Sequence, residues 1–181
     1  MGFQLSIPAK QLAKELDDVA KKTKKAGVRA LNKTATQSRN YAQKETRKLI
    51  NVKASKVKEA YKIAKARINH KKPLSEISVK YKQIPVIYYN GVRQTKKGIT
   101  VKMRKDKGRM LFKGAFIAPL RSGVNKGAYK RKGKARLPVK VLRGPNVQAI
   151  FVEKLGDFEK YGADNLERIY SHELDFIFGR V

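Results

Sequence analysis

The sequence predicts an α+β fold: a long N-terminal helix and a short second helix, a central antiparallel β-sheet, and a C-terminal helix. Three observations carry this. Apolar and small residues recur every three or four positions between Pro8 and Ile50. The period drops to two in several stretches between Ile77 and Val141, and the helical period returns from about Val147. Helices gathered at the two ends and strands in the middle make α+β rather than alternating α/β order.

The first helix follows the stripe Leu12, Leu16, Val19, Thr23, Ala26, Ala30, Thr34, Ser38, Tyr41 and Glu45. Ser6 is placed to cap it, with Pro8 in the first turn, where a missing amide hydrogen costs nothing. The stripe is apolar at first and thins to small and hydroxyl residues after Ala30. That second half reads as a helix packing closely on a neighbour, or buried only in an assembly. Gly27 marks a place for a bend or break. A continuous helix would be about 60 Å long. Asn51 and Val52 interrupt it, and Ser55 is a good N-cap for a second helix reaching about Ala64.

Beyond the turn at 69–73, Ile77, Val79 and Tyr81 alternate with polar residues as a half-buried strand. Ile84–Tyr89 is a short apolar run in which Pro85 indicates an edge or irregular strand. Asn90-Gly91 signals a turn, and Arg93–Lys97 reads as a basic loop. Ile99, Val101 and Met103 alternate as the next strand, and Asp106-Lys107-Gly108 turns the chain into a strand from Met110 to Ala118, ended by Pro119. A loop rich in Gly and basic residues covers 121–136. Leu137, Val139 and Val141 form the last strand, closed by Gly144-Pro145. The closing helix carries Leu155, Phe158, Gly162, Leu166, Ile169, Tyr170, Leu174 and Ile177 on one stripe. The regions are thus 1–72 (helical), 73–146 (sheet body with basic loop 121–136) and 147–181 (acidic helix), read together as one domain.

Charge dominates the composition, with 44 Lys and Arg against 14 Asp and Glu, net +30. It is unevenly placed: net +15 over 1–72, +18 over 73–143 and −3 over 144–181. Such a chain seeks anionic surfaces. The split between basic body and acidic end also predicts salt-sensitive head-to-tail self-association. The alternative is that the acidic helix packs on its own basic domain. There is no Cys, so disulfides and thiolate metal sites are excluded. No apolar run approaches the roughly 18 residues of a membrane span, and a protein made and assembled in the bacterial host cytoplasm, with no membrane partner, is expected.

An enzyme needs converging groups, and the middle of the chain holds only Glu76 and Asp106 as acids. His70 and His172 are isolated from any metal-binding pattern. Glu153, Asp157, Asp164, Glu167, Glu173 and Asp175 fall at spacings of a solvated helix face. Nucleotide, hydrolase, zinc and dinucleotide fingerprints are all missing. No catalytic, cofactor or metal residue is therefore assigned, and no enzymatic activity or cofactor is expected. The contact candidates are Arg121, Lys126, Lys130, Arg131, Lys132, Lys134 and Arg136, facing a partner protein or the phosphates of a nucleic acid. Lys10, Lys14, Lys21 and Lys24 offer a second basic face on the first helix.

Four ordered stretches carry a resemblance. They are Arg29–Ala35 with Gln37-Ser38-Arg39 and Asn51-Val52-Lys53; Arg93–Gly98; Lys113–Ala118; and Tyr129–Lys134 with Leu137-Pro138-Val139 and Gly144–Val147. As a set the chain resembles the prophage minor tail protein Z family, related to phage tail-completion proteins, across roughly residues 29–151. The resemblance implies a structural part of the virion tail near its head-proximal end. Such a part finishes the tail for joining to the capsid connector, as a ring of copies against other tail or neck proteins, with possible contact to DNA in the neck. A basic, non-sequence-specific nucleic-acid-binding protein is the alternative that the charge alone supports.

Overall fold

The computed structural model describes residues 9–81, 83–119 and 126–179, the first five of them through their backbone alone. The proposed cap Ser6 and Pro8 lie outside the described residues, as does the side chain of Leu12. Helix α1, Ala9–Leu49, runs 41 residues without interruption, passing Gly27 as regular helix. Helix α2, Ala54–Ala60, starts after Lys53 without a side-chain cap, so Ser55 lies within the helix instead of capping it.

That second helix was expected to reach Ala64, but Tyr61–Ala64 is a strand, β1. The reason is tertiary. The Tyr61 hydroxyl meets the buried Thr46 Oγ1 at 2.7 Å, and the Ala60 carbonyl accepts from the Lys80 amide at 2.9 Å. Long-range partners outweigh the weak helical preference of a four-residue stretch. β1 pairs with β2, Glu76–Val79.

The remaining strands are short and antiparallel. β3 (Gln83–Pro85) leads through a 3-10 turn at Val86–Tyr88 to β4 (Arg93–Thr95), β5 (Gly98–Val101) and β6 (Met110–Lys113). β4, β5 and β6 form one three-stranded sheet. A second sheet holds β7 (Ala115–Pro119), β8 (Lys126–Arg131) and β9 (Val139–Val141). β10 (Arg143–Asn146) returns to pair with β3.

Several boundaries depart from the sequence reading. Arg93–Lys97 is not wholly loop, because β4 forms a tight hairpin with β5 in the register Gln94↔Ile99. The single strand expected over Met110–Ala118 is two strands, since Gly114 at φ 69° turns the chain between the sheets. Residues 126–131 of the expected loop 121–136 are β8, and Gly144-Pro145 lies inside β10 instead of stopping β9. The single acidic helix expected over 147–181 is two: α3 (Val147–Glu153), capped by the Asn146 side chain on the Gln148 amide at 2.9 Å, and α4 (Leu155–Phe178).

The chain divides into two compact units. One contains α1 up to Gln37, Ile63–Glu76 and α4 from Glu159; the other contains Ser38–Lys62 and Ile77–Phe158.

In the second unit Ile50, Val57, Val86, Ile99, Val101 and Val147 are fully buried at the centre of one apolar cluster. Phe158 closes it, edge-on to Tyr41 and 5.2 Å from the Phe151 ring centroid. Asn51, where the first helix stops, latches the strands: its amide hydrogen goes to the Met103 carbonyl, and its Nδ2 to the carbonyls of Asn90 and Lys102 at 3.2 and 3.1 Å.

In the first unit α1 is buried along its second half and not along its start. The apolar start of the stripe is exposed, with Leu16 61% and Val19 48% accessible, whereas Ala26, Ala30, Thr34 and Ala35 are buried. Small side chains there permit close approach, as the thinning stripe suggested. One acid leaves its expected place. Glu173 belongs to the row read as solvated, yet it is 2% exposed and ion-pairs with Lys33 and, at 3.9 Å, with Arg29. A buried carboxylate requires such partners.

Candidate basic interface

Strand alternation and register decide which cations meet. On β8, Ala128 points into the core, so Lys126 and Lys130 share its side of the sheet, while Tyr129 and Arg131 take the other. β7 aligns Phe116 with Tyr129, and the Arg131 guanidinium lies 5.6 Å from the Phe116 ring centroid, a cation–π contact that holds it in place. β9 aligns Lys130 with Lys140 as direct cross-strand partners. Like charges placed so oppose each other.

The chain then bends through exposed residues 132–136 and a cis Leu137–Pro138 peptide. Lys132 is tied back by its amide to the Pro138 carbonyl at 3.1 Å. Where β9 passes into β10 a cleft of about 430 Å³ opens, with Phe112 in its wall and Lys130, Arg131, Lys132, Lys140 and Arg143 around it. Among the described residues no Asp or Glu lines it.

Of the seven candidate residues, the cleft thus gathers Lys130, Arg131 and Lys132. Lys126 sits at the far end of β8, opposite Pro119, about 13 Å along the strand from Lys130. Lys134 and Arg136 are exposed on the bend and do not line the cleft. Arg121 lies outside the described residues. Sequence reasoning missed Lys140 and Arg143. Their signal was faint: Lys140 is the polar member of the Val139–Val141 alternation, and only pairing across β8 brings it to Lys130.

A second cluster of charge is structural in form. Arg104 Nε donates to Asp106 Oδ1 at 3.0 Å and its guanidinium stands 3.8 Å from Glu153. The Arg104 hydrogen bond holds the Asp106 carboxyl below its ordinary range. Among the described residues, no three His, Asp or Glu side chains group as a metal site, and no helix is long and apolar enough to cross a membrane.

A family model described as prophage minor tail protein Z (GPZ) matches residues 9–176. The chain belongs to this family. The match covers the cleft and runs from the start of α1 almost to the end of α4, further in both directions than the motif set alone reached. No curated protein and no solved structure matches the chain. Membership of the minor tail protein Z family makes this a component of the phage tail, in contact with other tail proteins.

Proposed function

We propose that this minor tail protein completes the tail at its head-proximal end and joins it to the capsid connector, after assembly in the bacterial host cytoplasm. It works as a ring of copies and by binding, without catalysis. The basic cleft is the surface that engages an acidic neighbour among the tail or neck proteins. One observation carries that contact: Lys130 opposes Lys140 beside three further cations, with no acid among the described residues of the cleft wall. Such repulsion does nothing for folding and is relieved when an anionic partner docks. The tail role itself rests on the family.

Deleting the gene from its prophage and inducing the lysogen tests the tail role. Heads and tails that fail to join, with infectious yield lost, are expected. Normal infectious particles would refute it.

The cleft also favours a second reading, in which its five cations contact the phosphates of DNA passing the neck. Binding would then be indifferent to sequence and weaken steeply with salt, with a log–log slope of about 4 to 5 if all five engage. Duplex binding undetectable at near-physiological salt rules this reading out.

A further inference from the structure

Helix α1 extends well beyond the part that packs within its unit. From Lys14 to Lys25, about 18 Å of helix, every residue is exposed except half-buried Thr23. Leu16 and Val19 nevertheless continue the stripe that Ala26 and Ala30 bury.

We propose that this segment pairs antiparallel with the same segment of a second copy of the chain, about a two-fold axis between Val19 and Ala20. Each Leu16 then enters a groove on the other copy. The groove is present: about 550 Å³, mostly apolar, lined by Ala20, Thr23, Lys24 and Gly27 with Pro73 and Tyr170 beside them. Residues at i, i+3, i+4 and i+7 form the hole that receives a side chain from a facing helix, and these four positions have that spacing. A two-fold between residues 19 and 20 carries Leu16 to the level of Thr23 and Lys24, the middle of that hole. Gly27, unfavourable inside a helix, keeps its floor open. Its own unit does not demand a glycine there, since an added Cβ would meet Tyr170 at an ordinary 3.8 Å.

Charge selects the direction and the partner. Glu15 and Lys22 flank the stripe on one side, Asp17 and Lys24 on the other, each acid seven residues before its lysine. Seven residues are nearly two turns, so each pair shares a flank. Antiparallel pairing sets acid beside lysine along both flanks. Parallel pairing sets acid beside acid and lysine beside lysine. The segment is therefore complementary to itself in one orientation only. Such a contact uses the same patch on both copies and closes at two. It belongs to the free protein, does not depend on the tail role, and differs from any head-to-tail ring contact. Helices this short bury less than the roughly 1,200 Å² of a lasting interface, so the pair is weak and concentration-dependent.

Sedimentation of the full chain over a concentration series is the test, at near-physiological salt where long-range repulsion between chains of net +30 is screened. A monomer–dimer equilibrium is expected, weakened at least tenfold by Leu16→Asp. The double variants Glu15→Lys/Asp17→Lys and Lys22→Glu/Lys24→Glu should each be monomeric alone and form a heterodimer when mixed. In this cysteine-free chain, Ala20→Cys should cross-link the pair on oxidation. A monomer at every concentration, a dimer indifferent to Leu16→Asp, or a mixture of double variants that stays monomeric would each overturn the proposal.

Discussion

Asn32 aligns both halves of its side-chain amide with one peptide residue. Its Nδ2 donates to the Ala66 carbonyl at 3.0 Å and its Oδ1 accepts from the Ala66 amide at 2.8 Å, tying α1 to the segment after β1. Ala66 is 6% exposed, so Asn32→Ala strands two buried backbone groups. A loss of about 1–3 kcal/mol is expected, read as a lower urea midpoint. Gly98 is under a different constraint. At φ 143° it starts β5 with the Phe112 backbone closing on the place a Cβ would take, and the Phe112 carbonyl carbon would be 3.0 Å away. Gly98→Ala should destabilise by more than about 1 kcal/mol in the same measurement and loosen the β5–β6 pairing. Neither role was legible beforehand. Asn32 stood in a motif with no partner named, because its partner lies 34 positions along. Glu173 was readable in part: it falls three and four residues after Tyr170 and Ile169, on the buried stripe, and its acidity alone led it to be assigned to solvent.

At the scale of elements, legibility followed local information. The alternation Ile99, Val101, Met103 marks three buried positions, and α1 and α4 are helices where the helical period runs, although Leu16, Val19 and Leu155 of their stripes are exposed. What failed was decided by which strands lie alongside, not by the stretch itself. β4 and β8 are basic stretches with no apolar alternation, and they are strands because β5, β7 and β9 supply their hydrogen bonds. β10 forms through Gly144-Pro145 because the Tyr89 ring packs against Gly144, leaving no room for a Cβ. Tyr89 also gives this packing a pH signature. Burial raises its hydroxyl pKa well above the ordinary tyrosine value, with the Pro145 carbonyl 3.3 Å away as acceptor. The unfolded chain releases that proton near pH 10 while the folded chain keeps it. The contribution is therefore complete below pH 10 and declines above it, by about 1.4 kcal/mol per pH unit. Denaturant titrations should show this decline above pH 10 and not at pH 9, and Tyr89→Phe should lessen it.

For the whole molecule, the sequence located the charge but not its arrangement. Net charge pointed to anionic partners, and the motif set pointed to the minor tail protein Z family, to which the family match assigns the chain. The basic loop supplies only Lys130, Arg131 and Lys132 to the cleft, which Lys140 and Arg143 join through sheet register and through the turn into β10. We propose this cleft as the surface by which the protein engages its neighbour in the tail. Lys130→Glu, Lys140→Glu and Arg143→Glu together reverse the cleft while keeping like charges opposed across β8 and β9, so the fold should persist. The decisive measurement is the infectious yield of a prophage carrying that triple variant, beside a control reversing exposed Lys58, Lys62 and Lys65. A drop of orders of magnitude for the cleft variant, with the control near wild type, is predicted. Wild-type yield from the cleft variant would contradict the claim.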